Sequence, residues 1–212
     1  MINFTRPLFG RPATSVMFGP MAPPQFPSIT EPLFGAGPEG DPGYLASLRT
    51  GPVTMLRQLR ITMLTLVTAP VLILAIVPFI VRGGKGVFGG LPVLVFAPLV
   101  VAFVVALAVG IRVPRALPVG LADGPAAQAG AMAFRQALFL RFALADAVVL
   151  LGLPLSIISH SEMPYAAGFV LGFPLLVLLA LPTRGMVERM RRRLEAEGTQ
   201  SHLWAVLLAP AG

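Results

Sequence analysis

The sequence predicts an all-α integral membrane protein, a four-helix transmembrane bundle with a Pro/Gly-rich N-terminal tail. Three observations carry that prediction. Of 212 residues, 56% are apolar and only 12% are charged, about half the roughly 25% of a soluble domain, and mean hydropathy is +0.82. Four apolar runs each approach the roughly 20 residues a helix needs to cross a ~30 Å hydrocarbon core. The basic residues gather on one side of those runs. This balance excludes a disordered chain, a coiled coil and an ordinary water-soluble enzyme.

Residues 1–54 form a distinct, largely irregular region, with ten of the 22 prolines and seven of the 22 glycines. Proline removes backbone donors and stops helices, so the segment is expected to be extended and separable from the membrane core. A short repeat runs through it: Pro7-Leu8-Phe9-Gly10 recurs as Pro32-Leu33-Phe34-Gly35, with Met17-Phe18-Gly19-Pro20 between. Two readings stay open, a tail whose phenylalanines brush the membrane surface and a docking segment that orders on a partner.

Residues 55–183 form the four-span domain. The spans are expected at Ile61–Val81, about Leu91–Ile111, about Phe139–Ser159 and Met163–Pro182. In lipid a spanning segment must satisfy its own backbone hydrogen bonds, which leaves helix as its conformation. Gly83-Gly84-Lys85-Gly86 and His160-Ser161-Glu162 make short connections. The middle connection contains Asp123-Gly124-Pro125, a turn signal, and the third helix is expected to begin over Ala126–Met132, before the bilayer.

Orientation follows the basic residues near the helix ends. With the N-terminus inside, 14 basic residues lie in the cytoplasm and only Arg82 and Lys85 outside. An even number of spans places the C-terminus inside as well. The first apolar run begins too late for a cleavable signal, so targeting is expected to rest on the first span. Fifteen of the 16 basic residues are Arg, in a chain rich in Ala, Gly and Pro; that usage points to a GC-rich bacterial genome and hence to a bacterial cytoplasmic (inner) membrane.

Residues 184–212 are expected to form a basic amphipathic cytoplasmic segment. Met186, Val187, Met190 and Leu194 share one side of a helix, and Arg189, Arg191, Arg192 and Arg193 crowd the rest. Such a helix suits the membrane interface. Leu203–Leu208 is too short to span and is expected to lie in the interface, with Trp204 at headgroup depth.

The chemistry-bearing residues are few. With no Cys, thiolate sites and disulfides are excluded. Nothing matches HExxH, a Walker loop, GxSxG or GxGxxG, so no catalytic residue, metal site or cofactor is expected. Asp146 is the most informative position, because an acid within a span costs roughly 2.5–3.5 kcal/mol on insertion scales and usually faces protein or a partner. Arg141 and Arg135 are the nearest basic candidates for an intramembrane polar contact. Five residues separate Arg141 from Asp146, placing them about 140° apart around a helix, so a tight pair within that helix is disfavoured. Packing signals are clearer: Gly168 and Gly172 form a GxxxG, and Ala102, Ala106 and Gly110 make a small-residue stripe that permits close helix approach, within the chain or between copies.

Arg135 to Ala147, followed by Leu151-Gly152-Leu153, resembles a pattern in small uncharacterised bacterial multi-span membrane proteins: an Arg, an Ala-Leu step, an acid and a nearby Gly. The resemblance covers the third and fourth spans only and implies no activity. The function expected from the whole sequence is a non-enzymatic accessory or scaffold component of a membrane complex. The alternative is a small transporter or channel component using Asp146. Expected partners are the lipid bilayer and either another membrane protein or a second copy of the chain, with no nucleic acid.

Overall fold

The computed structural model describes residues 35–49, 52–81 and 93–210. The Phe-Gly repeats before Gly35 and the connection around Lys85 lie outside the described residues. The order is a 3-10 turn (Pro38–Gly40), α1 (Tyr44–Arg49), α2 (Met55–Ile80), a 3-10 turn (Val93–Phe96), α3 (Ala97–Arg112), α4 (Asp123–Ser159), α5 (Met163–Leu175), a π-helical turn (Leu176–Ala180), α6 (Arg184–Leu194) and α7 (Leu203–Leu208). The described residues contain no strand, only an isolated bridge between Thr54 and Pro210. Four helical segments are long and apolar enough to cross a membrane: Met55–Ile80, Val93–Arg112, Asp123–Ser159 and Met163–Ala180.

The ends of these helices have local causes. Thr54 caps α2, its hydroxyl accepting from the Arg57 N–H at 3.3 Å, and Thr183 caps α6 by the same device. α4 stops at His160, which takes the left-handed conformation at φ 51°, while the Ser161 N–H returns to the Ser156 carbonyl at 3.1 Å. That reversal is the wrapped C-terminal cap that ends many helices, and it sends α5 back antiparallel along α4.

Small residues set how closely that hairpin closes. A Cβ on Gly152 would stand 2.7 Å from the Pro164 carbonyl oxygen and from the Tyr165 Cα. One on Gly172 would meet Val149 Cγ2 at 2.5 Å and the Ala145 oxygen at 2.9 Å, and one on Gly168 the Val148 oxygen at 3.0 Å. The GxxxG thus seats α5 on α4 of the same chain. The buried Ser156 hydroxyl reinforces the hairpin by accepting from the Tyr165 N–H at 2.8 Å. Tyr165 reaches across to α2, its hydroxyl donating to the Pro70 carbonyl at 3.0 Å. α3 lies against the pair through buried Leu99, Ala106 and Gly110, with half-buried Ala102 beside them. Outward, α2 and α3 present Leu72, Ile76, Phe79, Val101 and Val104, all more than half exposed or close to it, as a lipid-facing surface would.

A second core lies beyond the bundle. α4 has 37 residues, about 55 Å at 1.5 Å per residue, well beyond a ~30 Å hydrocarbon core. Its first half overhangs, and Phe134, Ala137 and Leu138 on that half pack with Leu56, Leu59 and Met63 of α2, with Met186, Val187, Met190 and Leu194 of α6, and with Leu203, Trp204 and Leu207 of α7. Each such aliphatic or aromatic side chain contributes about 1.5–3 kcal/mol when fully buried.

This cap corrects two expectations. The apolar side of α6 faces protein, not the membrane interface, with all four of its apolar residues at most 1% exposed. Leu203–Leu208 lies inside the cap, and Trp204 is 2% exposed, with its indole N–H donating to Glu188 at 3.3 Å. The overhang of α4 supplies the protein surface that these two segments cover in preference to lipid.

The close α4–α5 contact makes a prediction. Gly152→Ala forces a methyl into backbone atoms that cannot yield and should destabilise the protein by about 1–3 kcal/mol, the usual effect of overpacking. Gly185→Ala on α6, where a Cβ meets nothing within 4 Å, should be neutral or slightly stabilising. Thermal unfolding in mild detergent checks both; equal melting temperatures for the two variants would contradict the packing argument.

Candidate functional site

The polar structure of the described residues concentrates at one end of the bundle, where α2 begins and α3 and α5 finish. Its centre is Arg60. By sequence it is a flanking charge before the apolar run at Ile61, but in the structure it is 0% exposed. Its Nη1 and Nη2 donate to the two carboxylate oxygens of Asp41 at 2.8 and 2.7 Å, the paired geometry that makes Arg–carboxylate contacts strong and directional. Nη1 also reaches the Ser47 hydroxyl at 3.0 Å and the Gly43 carbonyl at 3.3 Å, and Nε donates to the Pro182 carbonyl at 3.1 Å. The Tyr44 ring lies 5.3 Å from the guanidinium carbon, within the range of a cation–π contact.

Local chemistry prepares the Asp41 side of this clasp. Asp41-Pro42-Gly43 folds into a turn in which the Gly43 N–H donates to Asp41 Oδ1 at 3.1 Å. Gly43 sits at φ +94°, where a Cβ would be strained. Burial by itself would raise the Asp41 carboxyl, but the Arg60 hydrogen bonds, the Gly43 N–H and the Arg60 charge together hold it below its ordinary 3.8. The clasp corrects the expectation that residues 1–54 separate freely from the membrane core. Asp41, Ser47 and α1 are bound to α2 and to the α5–α6 junction through one guanidinium. A cavity of about 330 Å³ lies beside it, lined by Asp41, Ser47, Thr54, Leu56, Arg60 and Leu208 among others.

A second polar cluster fixes α6 to α7. Glu188 accepts from Arg191 at 2.7 and 2.9 Å, from Arg192 at 3.2 Å and from Trp204. The Arg191 hydrogen bonds are the largest cause holding its carboxyl down at about 2. Glu195 accepts from Arg191 and from the buried Ser201 hydroxyl at 2.8 Å.

The residues singled out by sequence are not brought together as a contact. Asp146 is half-buried, and no hydrogen bond or ion pair reaches it among the described residues. Arg141 is buried but donates to the Val113 carbonyl at 2.5 Å, on the side of α4 that its 140° offset from Asp146 dictates. Arg135 is exposed. Among the described residues no group of three or more His, Cys, Asp or Glu is placed to hold a metal ion. The arrangement can fix elements to one another and present positive charge. Sequence reasoning missed Asp41, Ser47 and Glu188. The one available signal was Asp-Pro-Gly, an acid preset in a turn just upstream of an Arg at the mouth of a span.

Two predictions follow from these charges. Asp41→Ala leaves the Arg60 guanidinium buried and unpaired and should destabilise by about 3–5 kcal/mol, whereas Asp41→Leu combined with Arg60→Met should recover much of that loss. Detergent unfolding of the single and double variants measures both, and an Asp41→Ala protein within 0.5 kcal/mol of wild type, on the order of a surface substitution, would refute the clasp. Acid should weaken the α6–α7 contact as well. Because the folded Glu188 lies near 2 and its ordinary value is 4.5, its contribution is complete above about pH 4.5 and is lost as pH falls toward 2. Glu188→Gln should flatten the melting-temperature decline in that window; an unchanged slope would count against it. No protein-family model, curated protein or solved structure matches the chain.

Proposed function

We propose that the chain is a multi-pass protein of a bacterial cytoplasmic membrane, with both termini in the cytoplasm, acting as a non-enzymatic accessory or scaffold component of a membrane complex. The observation that carries this reading is the second core. Four membrane-length helices are joined to a packed cap, and Arg60 beside that cap holds the chain at Asp41; the Phe-Gly segments, which precede Asp41 in the sequence, are the proposed docking arm. The 14 to 2 distribution of basic residues supports the orientation, and Met55 N–H to Ala209 carbonyl at 3.2 Å supports both ends of the chain lying on the same side. The expected partner is another membrane protein.

The Cys-free chain makes the topology directly testable. Ser201 is a poor probe because it is fully buried, so the exposed positions Glu162 and Gln200 serve instead. Glu162→Cys should label in intact cells and Gln200→Cys only after permeabilisation; the reverse pattern would overturn the orientation. Deleting residues 2–34 spares the clasp, so the melting temperature should hold while a stoichiometric partner recovered with the full chain in mild detergent is lost. A partner retained by the truncated chain would remove the docking role of the arm.

One observation favours the alternative, a small transporter or channel component. Among the described residues Asp146 has no basic partner, it lies on a helix apolar enough to span, and such residues often mark ion paths. Asp146→Asn separates the readings: normal assembly with lost ion or proton flux in liposomes supports transport, and normal assembly without any flux in wild type or variant supports the scaffold.

A further inference from the structure

Beyond the clasp, the same end of the bundle holds a group of positive charges that the scaffold role does not use. Arg141 on α4 is 7% exposed, and its Nη2 donates to the Val113 carbonyl. Its Nε is buried with no acceptor. Arg193 on α6 donates through Nη1 to the Ile111 carbonyl. Those two carbonyls are two residues apart, at most about 7 Å of chain, so the two guanidinium groups converge on the end of α3. Arg189 lies one turn before Arg193 on the same face of α6, where side chains are roughly 5–6 Å apart at Cβ. The charges of Arg189 and Arg193 both act on Arg141.

Among the described residues none of the three is paired with a carboxylate. The ion pairs among the described residues involve Arg60, Arg191, Arg192 and His202, and the nearby acids Glu188 and Glu195 are committed to Arg191. A buried guanidinium is tolerated when it is paired and its donors are met. Arg141 has one carbonyl, two like charges beside it and an orphan donor. The α3 carbonyls at 111 and 113 are each already covered by a guanidinium, so the negative end of that helix is neutralised where an anion would approach.

We propose that Arg141, Arg189 and Arg193 form a binding site for a phosphate-bearing anion at the end of α3. A phosphate group offers acceptors for paired guanidinium contacts, and the site sits where helices of membrane length end, which on the membrane reading is where phospholipid headgroups lie. The chemistry is the same for a lipid phosphodiester and for free phosphate; only the lipid source rests on the membrane reading.

The test uses the full chain in mild detergent, titrated separately with phosphatidylglycerol, phosphatidylcholine and inorganic phosphate, with melting temperature and lipid retention in native mass spectrometry as readouts. Phosphatidylglycerol should raise the melting temperature and be retained, and Arg189→Gln with Arg193→Gln should weaken its apparent affinity by about tenfold or more, the effect of losing even one charge-assisted bond. Arg135→Gln, an exposed Arg outside the group, should leave binding unchanged. Arg141→Gln removes the buried charge; should it fail to fold, the two α6 variants carry the test alone. Stabilisation by inorganic phosphate with the same Arg dependence identifies the free anion as the source and upholds the site. Equal binding of both lipids that survives Arg189→Gln with Arg193→Gln and comes with no phosphate effect, or equal loss in Arg135→Gln, would overturn it. Since the phosphate arm needs no bilayer, failure of the membrane orientation and failure of this site are read separately.

Discussion

A guanidinium withdrawn from water must be surrounded by acceptors, and that requirement at Arg60 organises one end of the molecule. Its acceptors come from segments far apart in sequence: Asp41 and Ser47 upstream, and Pro182 after the last spanning-length helix. Asp41 supplies the counter-charge, Pro182 satisfies Nε, and the turn at Gly43 holds the carboxylate in place. The start of α2, the α1 segment and the α5–α6 junction therefore hold their positions together. The cap core grows from that point, because the Arg60 turn of α2 also carries Leu56, Leu59 and Met63 into it.

The cap in turn explains the length of α4. A helix about 25 Å longer than a bilayer core would expose Phe134 and Leu138 to water unless other elements covered them. α6 and α7 do so, and they are held there by polar contacts at the rim. Glu188 links α6 to the Trp204 indole, Glu195 reaches Ser201, and the Thr199 hydroxyl donates to the Pro118 carbonyl at 2.8 Å. The bundle proper depends on different forces. Its α4–α5 contact is governed by backbone approach at Gly152, Gly168 and Gly172, which suits a medium in which apolar surface gains little from leaving lipid and close packing supplies the attraction.

How much of this was legible depended on what each pattern distinguishes. The four spanning-length helices were readable because an apolar run of about 20 residues admits few other conformations; the early start of the third, over Ala126–Met132, was legible too, whereas the extension of α2 back to Met55 fell outside its run. The role of Gly168 and Gly172 was readable as close approach, though spacing could not choose between a neighbouring helix and a second copy. The facing of α6 was not readable. Met186, Val187, Met190 and Leu194 form the same stripe whether lipid or protein covers it, and the long overhang of α4 that decides the matter is a tertiary fact. Arg60 was opaque for a similar reason: a topology-setting Arg and a buried Arg occupy the same place before a span, and only the acid 19 residues upstream separates them.

That ambiguity bears on every arginine at this end of the molecule. A charge that serves only to orient a helix gains from hydration and loses by burial, so orientation by itself favours exposed side chains, as at Arg112, Arg115 and Arg135. Burial has to be explained by something that orientation does not require. At Arg60 the explanation lies within the chain, in a carboxylate and two carbonyls at hydrogen-bond distance. At Arg141 the chain supplies one carbonyl and places Arg189 and Arg193 alongside. The two buried arginines therefore stand for two different uses of the same residue. One is satisfied internally and fixes the fold. The other retains an unmet donor among like charges, an electrostatic arrangement that an anion from outside the chain completes.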